Sequence, residues 1–154
     1  MSEQSQAGRG SQSEAAGKQY ATFWLGHGLY GIEVERVREV LRQQDLTRVP
    51  LAPTTIAGLI NLRGQVVTTI DLRERLQLGA AEPDSQPMLV VVLVAGESVA
   101  LLVDRIGGVV DVDGDQFEPP PDTLIGAIRE LVLGAYKLEN QLLLGLDVDA
   151  AVAA

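Results

Sequence analysis

Short apolar segments, interrupted at close intervals by glycine and proline, are the feature that most restricts the fold of this sequence. Met88–Ala95 is the longest apolar stretch; it has the length of a buried strand and is too short to cross a bilayer. Turn residues recur about every 8–12 positions, as in β-barrels and sandwiches. With 46% apolar residues in 154, the chain has enough material for a core. The pattern predicts an all-β protein with short helices.

The first half of the chain begins with a predicted hairpin. Tyr20–Leu25 and Leu29–Val34 are rich in aromatic and β-branched residues and flank a turn at Gly26–Gly28. The period then changes, since Val37, Val40 and Leu41 follow the i, i+3, i+4 spacing of a helix face, and we expect a short helix over Glu35–Leu41.

Two further strands are expected before the middle of the chain. Leu46–Val49 is a short candidate that Pro50 stops. Gln65–Ile70 is a second one, and Asp71 is placed to cap a helical turn over Leu72–Leu76.

The second half, after a Gly/Ala/Pro-rich linker at 79–87, again consists of short apolar segments separated by turn residues. Strands are predicted at Met88–Val94, Ser98–Val103, Val109–Val112, Leu131–Leu138 and Leu142–Asp147. Phe117–Ile128, which contains three consecutive prolines, is expected to be irregular. Both halves end with an apolar strand that runs into an aspartate, Asp71 or Asp147, and a short helical segment. This similarity predicts two related units of about 60–65 residues, each too small for an ample core, that pack on each other.

Charge is distributed unevenly. The formal net charge is −9, and residues 79–154 hold thirteen acids against Arg105, Arg129 and Lys137, whereas residues 20–78 hold six acids and seven arginines. An acidic surface repels phosphate and argues against nucleic acid and anionic membranes as partners. Two readings remain open: the halves face different partners, or the acidic loops only keep a strand-rich protein soluble.

The sequence offers little for catalysis or metal binding. It has no cysteine, and its single histidine, His27, lies in the predicted hairpin turn. The acidic run Asp111–Asp115 has its glycine at the fourth position, not the sixth as in a calcium loop, and we interpret it as a solvated turn. We therefore expect no catalytic, metal or cofactor site. The absence of cysteine and of a secretory signal favours a cytoplasmic protein.

The segment Gly58–Gln65 contains the most informative residue. Arg63 stands between two apolar strands and next to Gly64. An arginine there serves as a fixed ion pair, as a guanidinium fork offered to another protein, or simply as an exposed turn residue.

Several motifs in order along the chain resemble CheW-like domains. They are Gly58-Leu59-Ile60-Asn61-Leu62-Arg63-Gly64, Ile70-Asp71-Leu72-Arg73, Tyr30-Gly31-Ile32-Glu33-Val34 before Val37-Arg38-Glu39-Val40, Thr47-Arg48-Val49-Pro50, Val103-Asp104 and Glu118-Pro119-Pro120-Pro121. One departure is Thr68-Thr69, where the family often has a proline.

The resemblance implies two small five-stranded SH3-like β-barrels packed on each other. The implied boundaries are a disordered tail at 1–18, a domain at 19–149 and a short tail at 150–154, with a first barrel at about 19–80 and a second at about 88–146, whose last strand is a candidate for exchange into the first.

The resemblance also implies the function. It implies a non-enzymatic adaptor, monomeric when free, that couples the regulatory domain of a CheA-type histidine kinase to the cytoplasmic helical tips of chemoreceptors. The protein would reach membrane-bound receptor arrays through these partners, without entering the membrane. Val37, Glu39, Gly58 and Arg63 fall at receptor-binding positions, and the kinase-facing surface is expected among apolar residues of the second barrel. Val37 has a second reading as a core residue.

Two other functions remain as alternatives. One is the equivalent coupling role in pilus motility or another chemosensory pathway. The other is a β-barrel that binds a small ligand or, as an OB-type barrel, nucleic acid; few aromatics and the acidic second half count against nucleic acid.

Overall fold

The computed structural model describes residues 17–153 and contains eleven β-strands and three short α-helices. The strands are β1 Gly17–Leu25, β2 Gly28–Glu33, β3 Val37–Arg42, β4 Ile56–Leu62, β5 Gln65–Asp71, β6 Met88–Val94, β7 Glu97–Val103, β8 Arg105–Asp113, β9 Phe117–Glu118, β10 Val132–Lys137 and β11 Leu142–Leu146. The α-helices are α1 Leu72–Arg75, α2 Gly126–Leu131 and α3 Val148–Val152, and single 3₁₀ turns lie at Val34–Arg36 and Gly114–Gln116.

The strands form two sheets. The first sheet has the order β8-β1-β2-β11-β10-β9 and the second has the order β3-β6-β7-β5-β4. Strands β2 and β11 pair in parallel, as do β5 and β7, and the other pairs are antiparallel. The prediction of an all-β protein with short helices is therefore confirmed.

Three apolar clusters account for the strand patterns. Neighbouring residues of β6 belong to two of them. Leu89 and Val91 belong to the second-sheet cluster, whose other buried members are Ile60, Val67 and Ala100. Val90 and Val92 belong to the central cluster between the sheets, which also includes Phe23, Ile32, Ile70 and Leu144. Because both faces of β6 are buried, its sequence is almost continuously apolar. The first-sheet cluster comprises Tyr20, Leu29, Val112, Tyr136 and Leu143.

Both sheets curl around their own cluster. In the second sheet, Leu41 of edge strand β3 and Ile60 of the opposite edge strand β4 contact the same cluster. Closed five-stranded SH3-like barrels are nevertheless not confirmed, because no strand pair within residues 17–153 closes either sheet and the first sheet has six strands.

The predicted division into a barrel at 19–80 and another at 88–146 does not match the strand order. The hairpin β1–β2 joins the sheet built mainly by the second half, and the hairpin β6–β7 joins the sheet built mainly by the first half. Each half thus gives its first hairpin to the other half. Strand β11 pairs in parallel with β2 but stays in the sheet with β8, β9 and β10, and the exchange of the last strand into a first barrel stays a prediction.

Several local expectations also differ from the structure. Glu35–Leu41 is not a helix, because β3 begins at Val37, and the predicted strand at Leu46–Val49 is reduced to a single bridge between Thr47 and Leu59. Residues 1–16 of the predicted N-terminal tail lie outside the described residues, whereas Gly17 and Lys18 already belong to β1. The predicted C-terminal tail at 150–154 overlaps α3, and Ala151 is fully buried there.

Candidate functional site

A bulge in β3 determines what this edge strand exposes. The register with β6 shifts between Val37 and Glu39. As a result, Val37 and Val40 line the same groove, whereas Leu41 contacts the second-sheet cluster on the other side of the strand. Glu39 shares the side of Leu41, because side chains two residues apart on a strand point the same way.

The groove lies between the two sheets. Its volume is about 270 Å³, and its walls are β1 and β8 of the first sheet and β3 and β6 of the second. It is lined by Ala21, Thr22, Phe23, Val34, Val37, Val40, Val90, Ile106, Gly108 and Val109. Val40 and Val109 are 41% and 60% exposed, so the groove opens to solvent through apolar side chains.

Arg63 lies at the tip of the β4–β5 hairpin. Leu62 pairs with Gln65, so Arg63 and Gly64 form a two-residue loop, and both have positive φ (53° and 86°), as in a type I′ turn. The Asn61 side chain accepts a hydrogen bond from the Gly64 amide at 2.9 Å. The turn geometry therefore fixes the direction in which the arginine leaves the hairpin.

The Arg63 guanidinium binds the Glu39 carboxylate through both terminal nitrogens. Nη1 donates to Oε1 at 3.3 Å and Nη2 donates to Oε2. The hydrogen bond from Arg63 lowers the pKa of Glu39 below its ordinary value. The pair joins the tip of the β4–β5 hairpin to β3, although β3 and β4 are the two opposite edge strands of the sheet. Since the Arg63 side chain is 70% exposed, the pair contributes little to stability, and its fixed fork can accept a further partner.

Gly58 has a different environment from Arg63. It is buried in β4 with φ of 153°, and a Cβ there would lie 2.7 Å from the Thr47 carbonyl oxygen. The close approach allows Thr47 and Leu59 to exchange backbone hydrogen bonds at 2.9 and 2.8 Å. Gly58 thus holds the β3–β4 connection in place, and a direct contact with a partner stays a prediction.

Val37 has an environment that is compatible with both interpretations, as a core residue and as a binding residue. It is half-buried, packs against the central cluster and lines the groove. The structure thus brings Val37, Glu39 and Arg63 to one edge strand and the hairpin tip beside it. Sequence reasoning missed the groove's first-sheet wall, Ile106 and Val109, because the pairing of β8 with β1 joins positions about 85 residues apart.

His27 and the acidic run Asp111–Asp115 lie where a strand meets a turn. His27 is exposed in the β1–β2 turn, and Asp113 of the acidic run accepts a hydrogen bond from the Asp115 amide at 2.9 Å. Within residues 17–153, no three His, Asp or Glu side chains are grouped so as to hold a metal ion. None of the helices described there is long and apolar enough to cross a membrane.

Two curled sheets with an open apolar groove and a surface ion pair define a binding module. The CheW-like domain model matches residues 19–154. The chemotaxis protein CheW of Treponema pallidum is 31% identical over 134 residues, covering 84% of this chain and 79% of that protein. CheW of Bacillus subtilis is 30% identical and covers 88% and 87%. The crystal structure of the scaffolding protein TtCheW from Thermoanaerobacter tengcongensis has a TM-score of 0.80 at 29% identity, covering 89% and 93%.

This chain therefore belongs to the CheW-like domain family. Its function is that of a chemotaxis coupling scaffold, and the resemblance found in the sequence motifs is confirmed.

Proposed function

We propose that this protein joins a CheA-type histidine kinase to the cytoplasmic tips of chemoreceptors without catalysing a reaction. The observation that carries the proposal is the edge strand β3, which presents Val37 and Val40 to the apolar groove on one side and Glu39, paired with the exposed Arg63, on the other. An amphipathic helix of a receptor tip fits such an edge, because its apolar face can cover the groove while its polar residues reach across β3 to the charged pair. This role would locate the protein in the cytoplasm, at receptor arrays.

The receptor would contact the edge strand β3 and the β4–β5 tip. Val37 and Val40 supply apolar area, whereas Arg63 offers the donors that Glu39 leaves free. Gly58 would support this surface indirectly, because its lack of a side chain lets the Thr47 backbone pack against β4.

The kinase would bind elsewhere, on the first sheet. Phe117, Ile125 and Leu133 are 42%, 78% and 56% exposed, and all three lie within the stretch 88–146 where the sequence predicts the kinase surface. Glu118, next to Phe117, and Glu130, three residues before Leu133, are also exposed, so a partner patch with an apolar centre and basic rim would be complementary.

The receptor part is tested with purified receptor-tip fragment by titration calorimetry. Arg63→Ala should weaken binding by about 1–3 kcal/mol, as for an interface hot spot, and Val109→Gln should weaken it by making one groove wall polar. Arg129→Ala is the matched control, because Arg129 is exposed on α2, donates to the Pro121 carbonyl at 3.2 Å and does not line the groove. Equal affinities for all three variants would refute the proposed receptor surface.

The kinase part needs a variant on the other surface. Leu133→Asp should abolish binding of the kinase regulatory domain and leave receptor-tip affinity unchanged, because a charge in an apolar interface must be desolvated without a partner. If Leu133→Asp binds the kinase domain as wild type does, the first-sheet patch is not the kinase surface.

A further inference from the structure

The ion pair between Arg73 and Asp104 is the most enclosed one that residues 17–153 contain. Arg73 Nε and Nη2 donate to the two Asp104 carboxylate oxygens at 2.9 and 2.6 Å, and each side chain is 15% exposed. Neither residue lines the groove, but Asp104 is the single residue between β7 of the second sheet and β8 of the first, so the pair lies where the chain passes from one sheet to the other.

Asp104 is tied to the first-sheet wall of the groove. Its carboxylate accepts a hydrogen bond from the Gly26 amide at 2.6 Å, and its own amide donates to the Trp24 carbonyl at 3.0 Å. Trp24 directly follows Phe23, and Asp104 precedes Ile106 by two residues; Phe23 and Ile106 both line the groove. Asp104 therefore holds the ends of β1 and β8 that form this wall.

Arg73 is tied to the second sheet. It belongs to α1, which follows β5 directly and is capped by Asp71, whose carboxylate accepts from the Arg73 and Glu74 amides. Arg73 Nη1 also donates to the carbonyls of Gly79 and Ala80 at 3.3 and 3.2 Å. With Nη1 on these carbonyls, Nε and Nη2 both donate to Asp104.

We infer that the Arg73–Asp104 pair is a positioning device that sets the width of the groove between the two sheets. The apolar contacts of the central cluster are non-directional and permit small sliding motions. A two-point guanidinium–carboxylate contact fixes distance and angle together. The importance of this width for receptor binding rests on the proposed function.

The inter-sheet distance is measured directly with spin labels. The sequence has no cysteine, so Val66→Cys on β5 and Leu133→Cys on β10, both exposed, give one label on each sheet of an otherwise unlabelled protein. Pulsed electron spin resonance should give a narrow distance distribution that broadens or shifts when Asp104→Asn removes the charge.

Glu33→Gln is the matched control. It removes the Lys18–Glu33 ion pair, 3.1 Å long, which joins β1 and β2 within the first sheet, and it should leave the distribution unchanged. An unchanged distribution in folded Asp104→Asn would overturn the inference. If Asp104→Asn does not fold, Arg73→Lys replaces it in the distance measurement, because it keeps the charge but loses the two-point guanidinium contact. If neither variant folds, the pair is a general stability element and the inference is wrong.

Receptor binding is measured on the unlabelled variants. If about a tenth of Asp104→Asn molecules keep the competent groove, the Kd for the receptor-tip fragment rises about tenfold, whereas Glu33→Gln binds as wild type does. A broadened distribution with unchanged affinity would refute the link between this pair and the groove. Failure of the wild-type protein to bind would refute the proposed function, while the distance measurement would still decide whether the pair positions the sheets.

Discussion

Arginine side chains of the first half make several of the side-chain hydrogen bonds between distant parts of residues 17–153. Arg36 binds Asp149 at 2.8 Å, Arg73 binds Asp104, and Arg75 donates to the carbonyls of Ala150 and Ala151 at 2.9 and 3.0 Å. The uneven charge of the two halves therefore has a structural part, because arginines of residues 20–78 meet acceptors in residues 79–153. Two of the acids in the second half, Asp104 and Asp149, thus serve as partners of first-half arginines.

Thr69 is a buried residue whose hydroxyl has no hydrogen-bond partner among the described residues. Because an unpaired buried polar group costs free energy, Thr69→Val should raise the free energy of unfolding by about 1 kcal/mol, measured by urea denaturation. Thr22→Val is the contrasting variant, because the buried Thr22 hydroxyl donates to the Gly108 carbonyl at 2.7 Å and its loss should destabilise the fold. A less stable Thr69→Val would show that the hydroxyl is satisfied in solution.

Asp104 makes the stability of the protein depend on pH. The hydrogen bond from Arg73 lowers its pKa below the ordinary value, against an opposing effect of burial. A carboxyl with a lower pKa in the folded state stabilises the fold above its unfolded pKa, near 3.9, and this contribution disappears as the pH falls through the folded pKa. The difference in unfolding free energy between wild type and Asp104→Asn should therefore be full above about pH 5 and narrow below about pH 4. Equal differences at pH 6 and pH 3 would contradict this assignment.

At the scale of elements, the sequence predicted best where local signals suffice. The strands β5 and β6 and the Asp71 cap of α1 followed from β-branched runs and from an aspartate at a strand end. Strand β3 was missed because its bulge places Val37 and Val40 on one side, and a spacing of three residues then imitates a helix face.

The candidate site was predictable only in part, for a related reason. The turn arginine and the motifs around it are contiguous in sequence, so Arg63 was visible. The groove wall at Ile106 and Val109 and the partner of Arg73 depend on strand pairing between distant segments, which no local pattern specifies.

Helix α3 is too short to be stable alone and depends on its contacts. Asp147 accepts a hydrogen bond from the Ala150 amide at 3.1 Å at its start, and the Arg75 guanidinium binds two carbonyls at its end. Arg75→Ala should lower the free energy of unfolding by about 1–2 kcal/mol in urea denaturation, because it leaves these part-buried carbonyls without a charged donor. The control Arg129→Ala should change it by less than about 0.5 kcal/mol; equal effects would mean that Arg75 does not hold the helix.

At the scale of the whole molecule, the two sheets have the same connectivity. Each contains an edge strand, a hairpin, a strand in parallel to that hairpin and its antiparallel neighbour: β8, β1–β2, β11 and β10 in the first, and β3, β6–β7, β5 and β4 in the second. The two-residue strand β9 is an addition to the first sheet, beside β10. In both sheets the hairpin comes from one half of the chain and the other strands from the other half. The internal similarity expected from Asp71 and Asp147 is thus present in the topology, in the form of two units that exchange their first hairpins.

This exchange predicts that the two halves remain associated after the connection between them is cut. A protease site inserted between Pro83 and Gln86 lies in the linker beyond the Gly79 and Ala80 carbonyls that Arg73 binds. After cleavage the fragments should co-elute in size-exclusion chromatography and unfold in one transition, because neither half can complete a sheet without the hairpin of the other. The midpoint should become dependent on concentration, since a single chain has become a bimolecular complex. Separate fragments that each keep native circular dichroism, or two independent transitions, would show that the halves are self-sufficient units and that the exchanged hairpins do not hold the molecule together.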